Sequence, residues 1–535
     1  MQITKRYMNL PIENKLKTQR LKILMNDNLF RDFDIQLAQT EPDFWVFIDL
    51  KEHLGKTLVL QPEKSNREGL NKIYFSDRIH GADTLYKEQL RPQFHFTSKR
   101  GWLNDPNGLV FHNGEYHLYY QHNPYGWNWG NMHWGHAVSK DLVHWEEISK
   151  AIVPTYDDMA FSGSAVVDKN NMAGFGTSDQ TAIVAAYTST GRGECIAYSL
   201  DNGRTFTDYA ENPVLAHEGR DPKIFWYAPK KHWVMVVYDE SVEKRPLNQI
   251  VKDRTLQVHT SKDLKKWTYR SELDGYYECP ELFELAVDGD ENNKKWVIYG
   301  ANGQYRLGSF DGETFLPETP KYEMLHGNAY ASQTFNNIPD GRRIQISWGR
   351  RIISEGMPFN QMMTFPVELS LSTTAEGVRL LTNPIDEIKT LYGKKQEWKS
   401  KIITKNGSFD TKTKNDALHI LANFEIMDDF AFGLKINGYE LVYDVHNFKL
   451  NEVFVRPVDG KITLEILVDK TSIEIFANNG ETYMVKPHVS KSENFQVIAY
   501  SSSPNFETDS KTLLRELVIT ELNSIWKPTN LSGEH

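Results

Sequence analysis

A nearly all-β chain built on a repeat is what this sequence predicts, and three observations carry that expectation. Short runs rich in Val, Ile, Tyr, Phe and Trp alternate with turn signals such as His112-Asn113-Gly114, Asp201-Asn202-Gly203, Asp311-Gly312 and Asp459-Gly460, and helical periodicity is scarce. A Ser-x-Asp turn leading to an aromatic residue recurs at Ser139 to Trp145, Ser199 to Phe206, Ser261 to Trp267 and Ser309 to Phe315. These turns lie about 50–60 residues apart, a propeller-blade period. Three acidic residues, Asp105, Asp221 and Glu278, each stand just ahead of a proline at the head of a strand-like run.

Each element follows from that frame. The acidic residues open runs from Leu109 to Tyr120, Lys223 to Tyr238 and Leu282 to Tyr299, each an apolar stretch, a polar turn and a second apolar stretch. Two further openings, Phe161-Ser162-Gly163 and Ala329-Tyr330-Ala331, bring the count to five units. Five four-stranded blades over residues 91–388 predict a β-propeller whose inner strands line a narrow axial funnel. The Ser-x-Asp turns are expected to join the outer strands of a blade through Asx-type hydrogen bonds. Ahead of the propeller, residues 1–90 hold strand-like pieces (Leu21 to Met25, Phe30 to Ile35, Phe44 to Asp49, Thr57 to Gln61), then a polar connector from Ser76 to Glu88. They predict a small β module that binds polymer, shapes the funnel rim, forms a dimer contact or packs on the propeller. Behind it, residues 389–535 alternate at antiparallel-strand spacing, which suggests a two-sheet β-sandwich.

The 535 residues allow two or three cores, and a formal charge of −10 argues against nucleic acid or an anionic membrane as partner. No apolar run approaches the roughly 18–20 residues of a membrane span. The start, Met1 to Tyr7, lacks the apolar core of a signal peptide, so the expected location is cytoplasmic, or extracellular or periplasmic where a leader has been removed. Cys195 and Cys279 are read as buried thiols rather than a disulfide. No cluster has zinc or calcium spacing, and no metal or cofactor is expected; His133 and His136 sit in a strand and are read as structural or substrate-facing. The oligomeric state stays open.

Taken singly, an acidic residue before a proline is more often a turn device than a catalyst. Three in one repeat can converge on the axis, and converging carboxylates are the equipment for breaking a glycosidic bond. The strings Trp102-Leu103-Asn104-Asp105-Pro106-Asn107-Gly108, Gln121-His122-Asn123-Pro124, Phe161 to Asp168, Arg220-Asp221-Pro222-Lys223, Tyr277 to Phe283 and Ser347 to Arg350 resemble those of glycoside hydrolase family 32, the β-fructosidases (invertases, inulinases, levanases). The resemblance covers about residues 91–525 and implies a five-bladed propeller followed by a sandwich. The N-terminal module resembles the extra one of some bacterial fructan-degrading members.

By matched position, the resemblance makes Asp105 the nucleophile that forms a covalent fructosyl-enzyme. Glu278 becomes the general acid and base, and Asp221 the residue that holds fructose hydroxyls in the transition state. Arg220 would orient the carboxylates. Asn104 and Gln121 would bond sugar hydroxyls, with Trp129 and Trp348 as apolar walls and Phe161 with Ser162 closing one side. Trp127 is read as blade packing. The implied substrates are fructans (levan, inulin-type chains) or sucrose, cleaved from the non-reducing end. Transfer of fructose to another sugar, a non-catalytic fructan-binding propeller, and a sialidase suggested by Ser199 to Phe206 are the competing readings. One departure stands out: many members carry Asp-Tyr-Gly ahead of the fifth inner strand, where this chain has Leu325-His326-Gly327, so His326 or Asn328 is the expected replacement if that contact is kept.

Overall fold

The computed structural model describes residues 1–63, 67–240, 254–427, 430–490, 495–503 and 511–526. Five antiparallel blades form the propeller. Blade I comprises Gly101–His112, Glu115–Asn123, His133–Ser139 and Glu146–Glu147, and blade II Ala160–Val167, Ile183–Ser189, Gly193–Ser199 and Thr207–Asp208. Blade III comprises Arg220–Tyr227, His232–Asp239, Thr255–Ser261 and Thr268–Asp274. Blade IV runs Glu281–Val287, Asp290–Tyr299, Gln304–Phe310 and Phe315–Pro317; blade V runs Ala329–Thr334, Arg343–Gly349, Val367–Thr374 and Gly377–Pro384. A parallel bridge between Val287 and Leu371 makes blades IV and V one continuous sheet. The circle closes where Phe359–Asn360, after the second strand of blade V, pairs in parallel with Gly101 and Trp102 of blade I.

The inner strands are buried on both faces, which is why they read as near-continuous apolar runs rather than as alternation. The repeated Ser-x-Asp turns are built as expected. Asp141 Oδ1 accepts the amides of Val143 and His144, Asp263 Oδ1 those of Lys265 and Lys266, and Asp311 Oδ1 those of Glu313 and Thr314. Asp201 accepts the hydroxyl of Ser199 and the amide of Thr205. Each bond satisfies a donor that the sharp turn removes from the ladder.

Side chains from blade V stitch the axis. Gln333 donates to the Gly163 carbonyl and accepts from the Leu109 amide, at 2.9 Å each, and Asn336 donates to the carbonyls of Ala165 and Ile224. Buried Lys223 lies 2.7 Å from Glu281, whose other oxygen accepts from the Thr334 hydroxyl at 2.6 Å. These bonds cross the axis beneath the strand heads and form a floor there.

The sandwich places a seven-stranded sheet against a six-stranded one around a core that includes Phe424, Phe432, Tyr443 and Ile475. Its fusion to the propeller departs from the expected boundary: Leu325–Gly327, read from the sequence as propeller, pairs in parallel with Thr482–Pro487 as an edge strand of the sandwich. A buried triad ties the same two bodies. His95 Nδ1 lies 2.8 Å from Asp469 and its Nε2 2.9 Å from Glu474; Asp469 also accepts the amides of Gln93 and Phe94, and Glu474 those of Phe365 and the Tyr483 hydroxyl.

The N-terminal module is two three-stranded sheets: Phe44–Asp49, Tyr7–Ile12 and Tyr74–Ser76; and Asn28–Ile35, Gln19–Met25 and Leu58–Pro62. Its core takes in Tyr125 and, at the edge, Trp127 of blade I. The module is thus packed on the propeller, and Trp127, expected as blade packing, packs instead at the edge of the module core and donates to the Phe359 carbonyl at 3.2 Å. Among the described residues no helix is long and apolar enough to cross a membrane.

Candidate active site

The inner strands carry a shared irregularity at their heads. In blade I the register jumps between Leu103 and Pro106, in blade II between Ala160 and Gly163, in blade III between Arg220 and Lys223, and in blade V between Tyr330 and Gln333. Each jump sets two residues against one on the neighbouring strand, a β-bulge: Asn104 and Asp105, Phe161 and Ser162, Asp221 and Pro222, Ala331 and Ser332. Blade IV carries the matching feature in Cys279 and Pro280, where Cys279 shares the left-handed backbone of Asp221 and Ala331 (φ +44°, +67° and +51°). The three acidic residues are therefore not at equivalent points, as the sequence suggests. Asp105 is the second bulge residue, Asp221 the first, and Glu278 the residue before the bulge, also left-handed at φ +36°. A bulge re-aims side chains, so three staggered positions are turned onto one floor.

One thiol touches two of the carboxylates. Cys279 Sγ lies 3.4 Å from Asp221 Oδ2 and 3.9 Å from Asp105 Oδ2, and the Cys279 amide donates to Asp221 Oδ2 at 3.1 Å. Both cysteines are free thiols. Ser162 donates to Asp105 Oδ2 at 2.7 Å, so this hydroxyl serves the carboxylate. The Asp221 amide donates to the Thr188 hydroxyl at 2.9 Å.

Glu278 is held from two sides. Arg220 reaches its Oε2 through Nε (3.0 Å) and Nη2 (2.9 Å), and the Tyr330 hydroxyl donates to Oε1 at 2.6 Å. Arg220 also lies 3.9 Å from Asp221, donates to the Tyr277 hydroxyl, and meets Glu240 at 3.3 Å. It is a fork among three carboxylates rather than a surface ion pair.

Burial raises the Asp105 pKa to about 6, with the Ser162 hydrogen bond opposing and the charge of Glu278 reinforcing. Asp221 is pushed up by burial and by the charges of Glu278 and Asp105, with Arg220 opposing. The Cys279 thiol is pushed up by burial and by the same carboxylates, so it stays protonated. Such a cluster retains protons that belong to the group rather than to one side chain.

The remaining expected residues divide. Asn104 accepts from the Trp102 indole at 2.9 Å beside Asp105, and Gln121 is buried with its amide on the Ala160 carbonyl at 3.0 Å. Trp348 meets the rings of Trp102 and Tyr330 edge-on and donates to Gln361. Trp129 is 51% exposed and meets Phe161 edge-on. Asn328 spends its amide on the Arg350 carbonyl, and His326 lines the seam between propeller and sandwich. Neither is among the groups hydrogen-bonded to the three carboxylates. Sequence reading missed Tyr330, Tyr277 and Glu240 as site residues. Tyr330 was visible as a unit opening, and its place one residue before a bulge, like that of Glu278, is the signal that marks it.

Comparison with known proteins identifies the family. The model of the glycosyl hydrolases family 32 N-terminal domain matches residues 95–384. The chain belongs to glycosyl hydrolase family 32. The C-terminal model of family 32 matches residues 440–505, and a domain of unknown function, DUF4980, matches residues 1–94. Levanase of Bacillus subtilis (strain 168) is 38% identical over 516 residues, covering 84% of this chain and 73% of that protein. Extracellular exo-inulinase of Aspergillus awamori is 30% identical over 491 residues, covering 74% of this chain and 89% of that protein. Among solved structures, exo-inulinase from Aspergillus awamori superposes with a TM-score of 0.72 at 28% identity, covering 82% of this chain and all of that one. A fructofuranosidase from Schwanniomyces occidentalis complexed with fructose gives 0.69 at 27% identity, covering 81% of this chain and 98% of that one. The family 32 chain is thus a glycoside hydrolase with a propeller and a sandwich, as expected from its sequence.

Proposed function

We propose that this family 32 enzyme is a retaining, exo-acting β-fructosidase that releases terminal β-D-fructofuranosyl units from levan, inulin-type fructans or sucrose. The observation that carries the reading is the floor on which Asp105 and Asp221 share the Cys279 thiol while Arg220 joins Asp221 to Glu278. In the first step the Asp105 carboxylate bonds to the anomeric carbon as the bond to the leaving oxygen breaks, and Glu278 gives that oxygen its proton. In the second, Glu278 takes a proton from water, the water oxygen bonds to the anomeric carbon, and the Asp105 ester is released as free carboxylate. Asp221 bonds two ring hydroxyls while positive charge builds on the sugar. A buried acidic cluster is poorly solvated before substrate arrives, and a cationic transition state is what it complements. A floored funnel admits chain ends and favours release of single units. Residues 1–90, 91–388 and 389–535 act in this reading as module, catalytic propeller and supporting sandwich.

Product chromatography after incubation with levan, inulin and sucrose tests it. Fructose is the expected product, and Asp105→Asn and Glu278→Gln should each retain less than about 1% of wild-type kcat, since each removes a group that defines a step. Full activity in either variant would overturn the assignment.

A further inference from the structure

The seam between the N-terminal module and the propeller opens on the same face as the carboxylates. Inner strands start at that face and lead away from it, and second strands return. The loop 124–132 and the link 148–159 into blade II therefore both lie on the carboxylate side. The module strand Asn28–Ile35 docks on both. Phe33 stacks on Tyr125 with ring centroids 3.8 Å apart, and the main chain of Asp34 makes two 2.9 Å bonds with the Asn131 amide. Tyr156 donates to Asp34 Oδ1 at 3.2 Å, and Arg20 covers the Tyr156 ring at 3.6 Å.

Between these contacts lies a cavity of about 440 Å³, lined among others by Thr18, Asp34, Gln36, Asn128, Trp129 and Tyr156. Its Trp129 ring is half exposed and meets Phe161 at 6.0 Å. Phe161 is followed by Ser162, which bonds Asp105. The cavity wall thus runs into the reacting floor through consecutive residues.

We infer that the N-terminal module supplies one wall of a second sugar site, which holds fructosyl units of the polymer chain beyond the unit being cleaved. The inference rests on the β-fructosidase reading and deepens it. An exposed indole beside carboxylate, amide and hydroxyl groups matches a neutral sugar: the ring takes its C–H face, and the polar groups pair hydroxyls that burial would otherwise strand. The volume falls within the roughly 300–1,000 Å³ of small-molecule pockets. A third of that lining belongs to the module, which lies outside the residues matched by the family 32 models, so the site acts on chain length rather than on bond cleavage.

The test compares kcat/KM on levan and inulin with kcat/KM on sucrose, for wild type and two variants. Thr18→Trp fills the cavity from the module side, and Tyr156→Ala removes its wall from the propeller side. Each should lower kcat/KM on at least one polymer about tenfold while sucrose stays within about twofold, with unchanged melting temperature. Equal losses on polymer and sucrose would assign the seam a purely structural role, and unchanged polymer kinetics in both variants would remove the site; either overturns the inference. Wild type that frees no fructose from any of the three substrates would instead fail the fructosidase reading and take this inference with it.

Discussion

Ser162→Ala isolates the group that keeps Asp105 ionised. Its hydroxyl donates to Asp105 Oδ2 at 2.7 Å, against burial and the charge of Glu278, which together leave the carboxyl at about 6. A hydrogen bond to a charged group contributes about 1.5–3 kcal/mol, and each pKa unit corresponds to about 1.4 kcal/mol. Losing the bond therefore raises the Asp105 pKa by about 1–2 units, to about 7–8. As the proposed nucleophile, Asp105 works only when ionised, so activity should be lost as pH falls through this value. The acid limb of kcat/KM reports it in the free enzyme and should move to higher pH by the same amount. At a pH about one unit below the wild-type limb, the variant should be about 10–100-fold slower than wild type, beyond any loss that remains at high pH. Initial rates of fructose release across pH, with sucrose as substrate, read the limb directly. A limb within about 0.3 units of wild type would refute the argument, because a bond of this length cannot be both present and without effect on the charged form.

Two other outcomes follow from the same geometry. Tyr330→Phe removes the 2.6 Å bond to Glu278 Oε1 and should lower kcat about 10–100-fold with KM little changed, as measured by steady-state kinetics; an unchanged kcat would remove Tyr330 from the machinery. Burial opposes a charged His95, yet its bonds to Asp469 and Glu474 outweigh that and push its pKa up to about 9 from 6.5. A pKa raised on folding contributes stability that is complete below about 6.5 and lost as pH rises through about 9, here on the order of 3 kcal/mol. Melting temperature should therefore fall between about pH 7 and 10 in wild type and be lower but flatter in His95→Asn; parallel curves would show that His95 is not charged in the fold.

The blades, their Asx turns and the three acidic residues were legible because each is a local pattern that repeats. The register was not. Whether Asp105 or Asn104 faces the axis depends on a bulge, and a bulge is a pairing of two residues with one on another strand, here with Gln121. The same limit hid Tyr330, whose role depends on Glu278 arriving from the adjacent blade. Tyr7–Ile12 escaped notice because Pro11 sits inside it, although five of its six residues are buried. Tyr392–Thr404 is exposed along most of its length and shows no alternation to read, yet it pairs with Lys511–Leu522 as an edge of the seven-stranded sheet. Leu325–Gly327 has three residues and joins a sheet built from chain about 160 positions later, which no local signal announces.

The stagger of the three carboxylates also explains how one repeat can yield the three proposed roles. Identical positions in five blades would place five like side chains around the axis, and like charges at that distance cannot all ionise. Here the second bulge position supplies Asp105 and its donor Ser162, and the first supplies Asp221 and the Cys279 thiol. The position before the bulge supplies Arg220, Glu278 and Tyr330, so the fork and the phenol stand level with the carboxylate they hold. Donor and acceptor thus arrive at matching heights from neighbouring blades. The cost is backbone strain, since Asp221, Glu278, Cys279 and Ala331 are all left-handed, at about 1–3 kcal/mol each. Directly below, the buried Lys223–Glu281–Thr334 network and the amide bonds of Gln333 and Asn336 lock the strands in that register. Strain at the floor and stitching beneath it are one device: without the second, the bulges would relax and the carboxylates would turn away from the axis.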